Sequence, residues 1–430
     1  MMKKETAFNR GLVISFLCAM LLLACDTNVT KNQTMNSKKE RTAAEILGNP
    51  SFQAISYGGY RNNTREIQPG IDQLKEDMLL LSRMGIKLLR TYNVHLPHAT
   101  NVLRAIRELK TQDPTFEMYV MLGAWIDCKN AWTELEPDHT QESERNAVEI
   151  EKTVALAKEY TDIVKIIAVG NEAMVKWATA YFVQPGVILK WVNHLQSLKA
   201  QGELSKDLWI TSSDNFASWG GGGSEYHVED LDALIKAVDY ISMHTYPMHD
   251  THYNPVFWGV TEAEKSLSKE EQIEATMQRA LQYAQDQYRS VKTYMESLGV
   301  NKPVHIGETG WASQDADNHH YGKNGSKACD EFKEGVYYRM MREWTNTAGI
   351  SCFYFEAFDE PWKDAMNAKG SENHFGLFTL DGQAKYAIWE WVDQGVFDGL
   401  TRAGNQISKT NNGSLERVLE LSPIPPAKPE

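Results

Sequence analysis

The stretch VKIIAVGNE, residues 164–172, contains both the main signal for the fold and the first candidate functional residue. Its first part, Val164–Val169, is mostly apolar and lacks the alternation of a half-exposed strand, which is typical of a β-strand buried on both faces. Gly170, Asn171 and Glu172 follow directly. The stretch therefore predicts a buried strand that ends at a carboxylate.

Short runs of the same character recur along the chain, and a longer amphipathic segment follows each of them. The predicted strands are Gln53–Tyr57, Ile86–Tyr92, Phe116–Leu122, Val164–Val169, Leu208–Thr211, Tyr240–His244, Pro303–Ile306 and Ile350–Phe355. The predicted helices are Ile71–Arg83, Ala99–Lys110, Glu142–Tyr160, Gly186–Lys199, Val228–Val238, Lys269–Leu298, Asp330–Asn346 and Ala384–Gln394. This alternation predicts an α/β fold, a (β/α)8 TIM barrel in a single domain. A doubly wound open sheet is the rival, but no Gly-rich nucleotide motif follows the first strand.

The first 24 residues have the features of a signal peptide. Lys3, Lys4 and Arg10 precede an apolar segment, residues 11–24, that is too short to cross a bilayer comfortably. The segment ends in LLAC, which resembles the bacterial lipobox, in which the cysteine becomes the first mature residue and carries lipid. Lipidation at Cys25 is therefore predicted, with a plain secretory peptide as the alternative.

The predicted signal peptide, residues 1–24, sets the expected organisation of the rest of the chain. We predict a polar tether over residues 25–50, the barrel over residues 51–400 and a loosely packed C-terminal extension over residues 401–430. The expected location is the bacterial cell envelope, with the protein lipid-anchored at the outer membrane surface or in the periplasm.

Charge and composition restrict the classes of ligand. A net charge of −13 repels nucleic acid phosphates, and no long basic cluster interrupts it, so no nucleic acid partner is expected. The 12 Trp, 18 Tyr and 14 Phe residues pack in the core or, in part, line a groove, where apolar ring faces complement the C–H faces of sugars. Beyond Cys25 the cysteines are Cys128, Cys329 and Cys352, whose spacing is not a metal pattern and permits one disulfide without selecting it.

Carboxylates follow two of the predicted strands. Glu172 ends the fourth strand, and Glu308 ends the seventh in the sequence GETGW, residues 307–311. Active sites of TIM barrels gather at the C-terminal ends of the strands, so both residues are expected at one barrel mouth. Cleavage of a glycosidic bond with retention needs such a pair, about 5–5.5 Å apart, one as acid and the other as nucleophile. Their like charges raise the pKa of the acid in the required direction.

The motifs at the strand ends resemble glycoside hydrolase family 17, in its fungal and bacterial branch. The resemblance extends from about Ser51 to Trp391. The matching segments are ISYG (55–58), LRTYN (89–93), VGNE (169–172), HTYP (244–247), GETGW (307–311) and FEAFDEPWK (355–363).

This resemblance implies roles for individual residues. It makes Glu172 the acid/base and Glu308 the nucleophile, while Asn171 holds the 2-hydroxyl of the attacked sugar and Tyr246 orients the nucleophile. It also implies substrate-binding roles for Tyr57, Arg90, Trp311, Glu360 and Lys363.

Several of these roles have structural alternatives. Glu360 and Lys363 are also spaced as a surface ion pair of little energetic value. Tyr57 is equally a strand-end core residue, and Arg90 equally a buried partner of a catalytic carboxylate. Trp219, followed by four glycines, indicates a lid over the substrate or a spacer, and the lid is favoured.

The implied function is a retaining, endo-acting β-1,3-glucan hydrolase on laminarin-like substrate, working through a covalent glycosyl-enzyme. The alternatives are a β-1,3-glucanosyltransferase with the same carboxylates, and a non-catalytic glucan-binding lipoprotein, against which the intact Glu172, Glu308 and Asn171 argue. We expect a monomer without cofactor. His249, Asp250 and His252 suggest a metal only generically, so no metal is expected.

Overall fold

Eight parallel strands close into a barrel in the computed structural model, which describes residues 40–429. Each strand pairs with its neighbours in chain order, and β1 pairs with β8 through Ala54 opposite Phe353, which closes the barrel. The strands are β1 (Gln53–Ser56), β2 (Ile86–Arg90), β3 (Tyr119–Ala124), β4 (Val164–Asn171), β5 (Trp209–Asn215), β6 (Ile241–His244), β7 (Val304–Gly310) and β8 (Cys352–Phe355). The predicted TIM barrel is confirmed.

One helix of the outer ring follows each strand. These helices are α1 (Ile71–Arg83), α2 (Pro97–Gln112), α3 (Arg145–Glu159), α4 (Pro185–Ala200), α5 (Glu229–Ala237), α6 (Lys269–Ser297), α7 (Glu331–Ala348) and α8 (Trp389–Asp393). In α1 the buried residues Leu74, Met78 and Leu81 recur at helical spacing and pack on the barrel. Among residues 40–429, none of the helices has the length and apolar character needed to cross a membrane.

Further elements lie outside this repeat, and the sequence did not indicate them. They are helices Ala43–Ile46, Pro247–Tyr253 and Leu415–Leu421, a hairpin of Cys128–Lys129 with Asp138–Glu142, and a hairpin of Thr401–Arg402 with Asn405–Gln406. All of them are short, and short elements carry too few residues to show a periodic pattern.

The strands divide the apolar residues between two cores. Alternate residues such as Ile55 and Leu89 pack against the helices, whereas Ala54 and Leu88 face the barrel interior in a separate cluster. Helix Ala43–Ile46 joins this interior cluster. The predicted tether therefore ends before residue 50, because the apolar side chains of this helix are buried. The predicted signal peptide and Cys25 lie outside the described residues.

The prediction of a loosely packed C-terminal extension is wrong. Arg402 is fully buried, and its Nε lies 3.0 Å from Oδ1 of Asp77 on α1. Asp77 also accepts hydrogen bonds from the Tyr57 hydroxyl and from Arg61, at 3.0 and 2.9 Å. Further along, the Lys333 ammonium donates to the carbonyl of Pro423 at 2.7 Å. Many residues of the segment are exposed, but paired charges and hydrogen bonds such as these hold it against the barrel.

Candidate active site

Glu308 is buried near the end of β7, and three side chains donate hydrogen bonds to its carboxylate. Arg90 and the hydroxyl of Tyr92 donate to Oε2, the latter at 3.0 Å. The hydroxyl of Tyr246 donates to Oε1 at 2.6 Å. Both oxygens are thus held from neighbouring parts of the barrel mouth, which fixes the orientation of the carboxylate.

Arg90 connects the nucleophile candidate to the fourth strand. Its guanidinium also donates to the carbonyl of Gly307, at 2.9 Å, and to Oδ1 of Asn171. Arg90 is 1% exposed, so a sugar cannot contact it. The predicted substrate-binding role of Arg90 is therefore corrected: it is a buried partner of Glu308. Because Arg90 occupies the amide oxygen of Asn171, the amide NH2 is the group left to meet a ligand.

The surroundings of Glu308 keep it ionised. Burial raises the pKa of the Glu308 carboxyl group and is the largest single effect on it, but the charge of Arg90 and further interactions together outweigh it. The hydrogen bond from Tyr246 and the charge of Lys363 act in the same direction, and the pKa of Glu308 falls to about 2.

Glu172 lies in a turn after β4 in which two residues have positive φ. Gly170 has φ +81° and Glu172 itself has φ +45°, while the Glu172 N–H donates to the carbonyl of Ser213 on β5 at 3.0 Å. A Cβ at Gly170 would lie 2.9 Å from that of Ala173, so this position favours glycine on two counts. The positive φ of a glutamate is uncommon and is found where the surroundings impose it.

The surroundings of Glu172 keep it protonated. Burial and the nearby charge of Glu308 raise the pKa of Glu172 to about 8. His244 contacts it through Nδ1, 3.0 Å from Oε1, and burial lowers the pKa of His244 to about 4, so the imidazole is neutral near pH 7. Two carboxylates at one barrel mouth thus have opposite charge states, which is the division that acid and nucleophile require.

Besides Tyr92, two supporting residues were not among the predicted site residues. His244 reaches from Glu172 to the hydroxyl of Ser213, with Nε2 and Oγ 2.8 Å apart. Asp214 is fully buried and accepts a hydrogen bond from the backbone N–H of Met174, at 2.8 Å, which ties down the loop after Glu172. Burial raises the pKa of Asp214 to about 7. Both lie at strand ends, as Glu172 does, and that position is the signal that identifies them.

Two cavities, each of about 840 Å³, meet at Glu308. Asn171 lines the first, together with Tyr60, Trp125, Trp132, Tyr181, Glu360, Trp362 and Lys363. Glu172 lines the second, together with Trp177, Phe216, Tyr226, Tyr246, Tyr253 and Phe375. The two together form a cleft rich in aromatic rings with Glu308 at its middle. We call them the Asn171 cavity and the Glu172 cavity.

Glu360 and Lys363 lie in the wall of the Asn171 cavity. Lys363 Nζ is 3.1 Å from Glu356 Oε1 and 3.8 Å from Glu360 Oε2. The indole of Trp362 donates to the same Glu360 oxygen at 2.9 Å. These side chains are mostly buried, so the alternative of an exposed surface pair does not apply.

Three predicted aromatic contacts are corrected. Trp311 is fully buried against Trp258 and Tyr337, and its indole donates to a backbone carbonyl at 2.8 Å. Tyr57 borders the Asn171 cavity but is fully buried, with its hydroxyl bonded to Asp77. Trp219 is also fully buried, which excludes the lid. Trp and Tyr side chains pack in a core as readily as they line a groove. The sequence motifs that contain them do not show which of these two positions a given ring occupies.

No metal site and no disulfide occur within residues 40–429. No group of three or more His, Cys, Asp or Glu side chains in this part of the chain is placed to hold a metal ion. His249 instead hydrogen-bonds the hydroxyl of Tyr321, with Nδ1 and OH 3.2 Å apart. Cys128, Cys329 and Cys352 are free thiols.

A (β/α)8 barrel with a protonated and an ionised glutamate in one aromatic cleft defines the class: it is the arrangement of a glycoside hydrolase. Comparison with known families agrees. The model of the BtgE/BtgC glycoside hydrolase domain matches residues 54–376, and the chain belongs to this family. The resemblance to glycoside hydrolase family 17 is thereby confirmed.

Solved structures give the same fold. An endo-laminarinase from Formosa Hel1_33_131 is 65% identical, covers 91% of this chain and 99% of its own, and superposes with a TM-score of 0.90. A family 17 β-1,3-glucanosyltransferase from Rhizomucor miehei is 20% identical with a TM-score of 0.53, over 78% of this chain and 96% of its own, and shows the fold alone.

Curated relatives are more distant or match over shorter segments. A putative glucan endo-1,3-beta-glucosidase BtgC of Aspergillus niger is 23% identical over 313 residues, 71% of this chain and 37% of the relative. A glucan 1,3-beta-glucosidase of Arthroderma benhamiae is 42% identical over 94 residues, 20% of this chain and 28% of the relative. The chain thus spans about a third of the length of these relatives.

The hydrogen bond from Tyr246 to Glu308 gives a testable prediction. Tyr246→Phe removes a donor that stabilises the ionised form, so the pKa of Glu308 rises. Since Glu308 acts ionised, the acid limb of the pH profile of kcat/KM moves to higher pH, while the basic limb near pH 8, set by Glu172, stays. We expect kcat/KM on a β-1,3-glucan to fall about 10- to 100-fold, since a charge-assisted hydrogen bond contributes about 1.5–3 kcal/mol.

Tyr240→Phe is the matched control. Tyr240 is a buried tyrosine whose hydroxyl lies 3.8 Å from the sulfur of Met121 and also interacts with Ser242, but with neither Glu172 nor Glu308, so the pH profile and rate of Tyr240→Phe should match the wild type. Equal effects of the two substitutions, or an unmoved acid limb in Tyr246→Phe, would contradict the assigned role.

Proposed function

We propose that the protein is a retaining, endo-acting hydrolase of linear, laminarin-like β-1,3-glucan. The observation that carries the proposal is that Glu172 and Glu308 lie in one aromatic cleft, where Arg90 pairs with Glu308. The similarity to an endo-laminarinase over nearly the whole of that chain supports the substrate. The aromatic lining of both cavities suits a neutral, hydroxyl-rich chain.

In the first step the cleft breaks the glycosidic bond. Glu172 donates its proton to the glycosidic oxygen as that bond breaks, and the sugar chain on the far side leaves with a new hydroxyl group. The carboxylate of Glu308 forms a bond to the anomeric carbon, which gives a covalent glycosyl-enzyme. Arg90, Tyr92 and Tyr246 hold the carboxylate in place, and the amide NH2 of Asn171 is available to the 2-hydroxyl of the attacked sugar.

In the second step water releases the sugar. Glu172 is now ionised and takes a proton from a water molecule, whose oxygen bonds to the anomeric carbon while the bond to Glu308 breaks. Bond formation to Glu308 lowers the negative charge beside Glu172, so its pKa falls and it is suited to act as base. Two inversions at one carbon give net retention.

The anomeric form of the first product tests this mechanism. We expect proton NMR of fresh digests of a linear β-1,3-oligosaccharide to show the β-anomer before mutarotation, because the two displacements restore the configuration. Internal cleavage predicts a mixture of shorter oligosaccharides rather than glucose alone, and Glu308→Gln should remove turnover of this substrate. An initial α-anomer would rule out retention, and products longer than the substrate would establish glucanosyl transfer instead of hydrolysis.

We also propose that the protein acts as a monomer anchored to the cell envelope by lipid on Cys25. The support is the LLAC sequence after an apolar segment, together with a cleft built entirely from one chain. Expression in a bacterium with labelled palmitate should give a labelled, membrane-associated protein that elutes as a monomer in detergent. Cys25→Ser should lose the label, whereas Cys18→Ser, within the apolar segment, should keep it. Label retained in Cys25→Ser would refute the anchor.

A further inference from the structure

The hairpin after β3 presents an aromatic ring that neither the motifs nor the catalytic chemistry explains. Trp132 lies between the hairpin strands Cys128–Lys129 and Asp138–Glu142, and its side chain is 58% exposed. It nevertheless lines the Asn171 cavity. An exposed indole on a cavity wall buries little on folding, so core packing does not account for it.

The backbone at this ring is held in an unfavourable conformation. Trp132 has φ +62° and Asn130 has φ +66°. For a bulky residue such as tryptophan, positive φ is strained, and strained residues persist where their placement is used. A glycine would remove the strain but also the ring.

Neighbouring side chains fix the hairpin in this conformation. Arg145 Nη2 donates to the carbonyl of Ala131 at 3.1 Å and to Asp127 at 2.9 Å. Asn130 donates across the hairpin to the carbonyl of Glu136 at 3.0 Å. The ring is thus pre-organised, and a ligand need not pay the entropy of ordering it.

The orientation of the Trp132 indole suits contact with the flat face of a sugar ring. Trp132 stacks on Tyr181, with ring centroids 5.2 Å apart and planes inclined by 22°, and Trp125 packs beside both. Tyr181 and Trp125 line the same cavity. Three adjoining rings form an aromatic wall of the kind that contacts the apolar C–H face of a sugar ring.

The position of this wall assigns it to one side of the scissile bond. Glu172 lines the Glu172 cavity and Asn171 the other. In the proposed mechanism Glu172 protonates the leaving chain and Asn171 meets the sugar attacked by Glu308, so the leaving chain extends into the Glu172 cavity. Trp132 therefore lies on the side of the chain that becomes bound to Glu308, towards its non-reducing end. Trp177, which is 62% exposed, lines the Glu172 cavity and so lies on the leaving-group side.

From these observations we propose that Trp132 is a distal sugar-stacking platform that binds a glucosyl unit of the donor chain, away from the carboxylates, and thereby favours long glucan chains. This proposal rests on the proposed function. The ligand it names is a neutral β-1,3-linked glucose chain, because the platform combines apolar ring faces with the hydrogen-bonding groups of Asp127 and Arg145 at its edge.

The test uses Trp132→Ala and Trp177→Ala in the full chain, on linear β-1,3-oligosaccharides of increasing length labelled at the reducing end. Trp132→Ala should match the wild type on the shortest cleaved substrates and lose about tenfold in kcat/KM once the chain reaches the platform. Tenfold corresponds to about 1.4 kcal/mol, within the range of an aromatic contact.

The bond that is cleaved provides a second readout. Loss of a donor-side platform should move cleavage towards the non-reducing end, and Trp177→Ala should move it towards the reducing end. Trp132→Tyr should restore part of the preference for long chains. A Trp132→Ala enzyme with unchanged rate at every length and an unchanged cleavage position would overturn the platform.

Folding effects are separated by Trp132→Gly. Glycine adopts positive φ without strain, so the melting temperature of Trp132→Gly should equal or exceed that of Trp132→Ala. Both variants should lose the same factor in kcat/KM on long chains. If the two variants lose activity in proportion to lost stability on short and long chains alike, Trp132 is structural and the proposal fails. If the wild type itself cleaves no β-1,3-oligosaccharide, the proposed function fails instead.

Discussion

The buried ion pair between Arg90 and Glu308 is the interaction on which the rest of the site depends. Arg90 is 1% exposed, so the cost of removing its charge from water must be offset by bound partners. These partners are the Glu308 carboxylate, the Gly307 carbonyl and the Asn171 amide oxygen. The pair joins β2, β4 and β7 across the barrel. It keeps Glu308 ionised, and the resulting charge in turn helps to keep Glu172 protonated. The pair thus contributes to both charge states, together with the burial that raises the pKa of Glu172 most.

The need of buried charged groups for hydrogen-bonding partners also explains why the interior of the barrel mouth is polar. Below the site the barrel is filled by apolar residues such as Ala54 and Leu88. At the mouth the inward positions change to Arg90, Ser213 and His244, because buried charges require hydrogen-bonding partners. A neutral His244 contacts Glu172 without adding a positive charge that would lower the pKa of the acid.

The sequence predicted the eight barrel strands and the position of two glutamates at one barrel mouth, while the catalytic roles of these glutamates stay predictions; it predicted the surroundings of the site less well. Buried parallel strands form continuous apolar runs, so each strand was found, but β5 and β7 continue through polar residues that face the site and were predicted too short. Which aromatic residues face the cleft depends on three-dimensional packing, so Trp311 was assigned to the ligand and Trp132 was overlooked. The ordered C-terminal segment was missed because its stability comes from pairs such as Arg402 with Asp77, which are remote in sequence.

Covalent trapping tests the central claim, that Arg90 holds Glu308 as the ionised nucleophile, most directly. A 2-deoxy-2-fluoro β-1,3-glucosyl fluoride slows both displacements, while its good leaving group lets the first one proceed, so the glycosyl-enzyme accumulates. Mass spectrometry of the digested protein should locate the added sugar on the peptide that contains Glu308, with slower labelling in Arg90→Met. A label on Glu172, or turnover of glucan by an enzyme that forms no such adduct, would contradict the account.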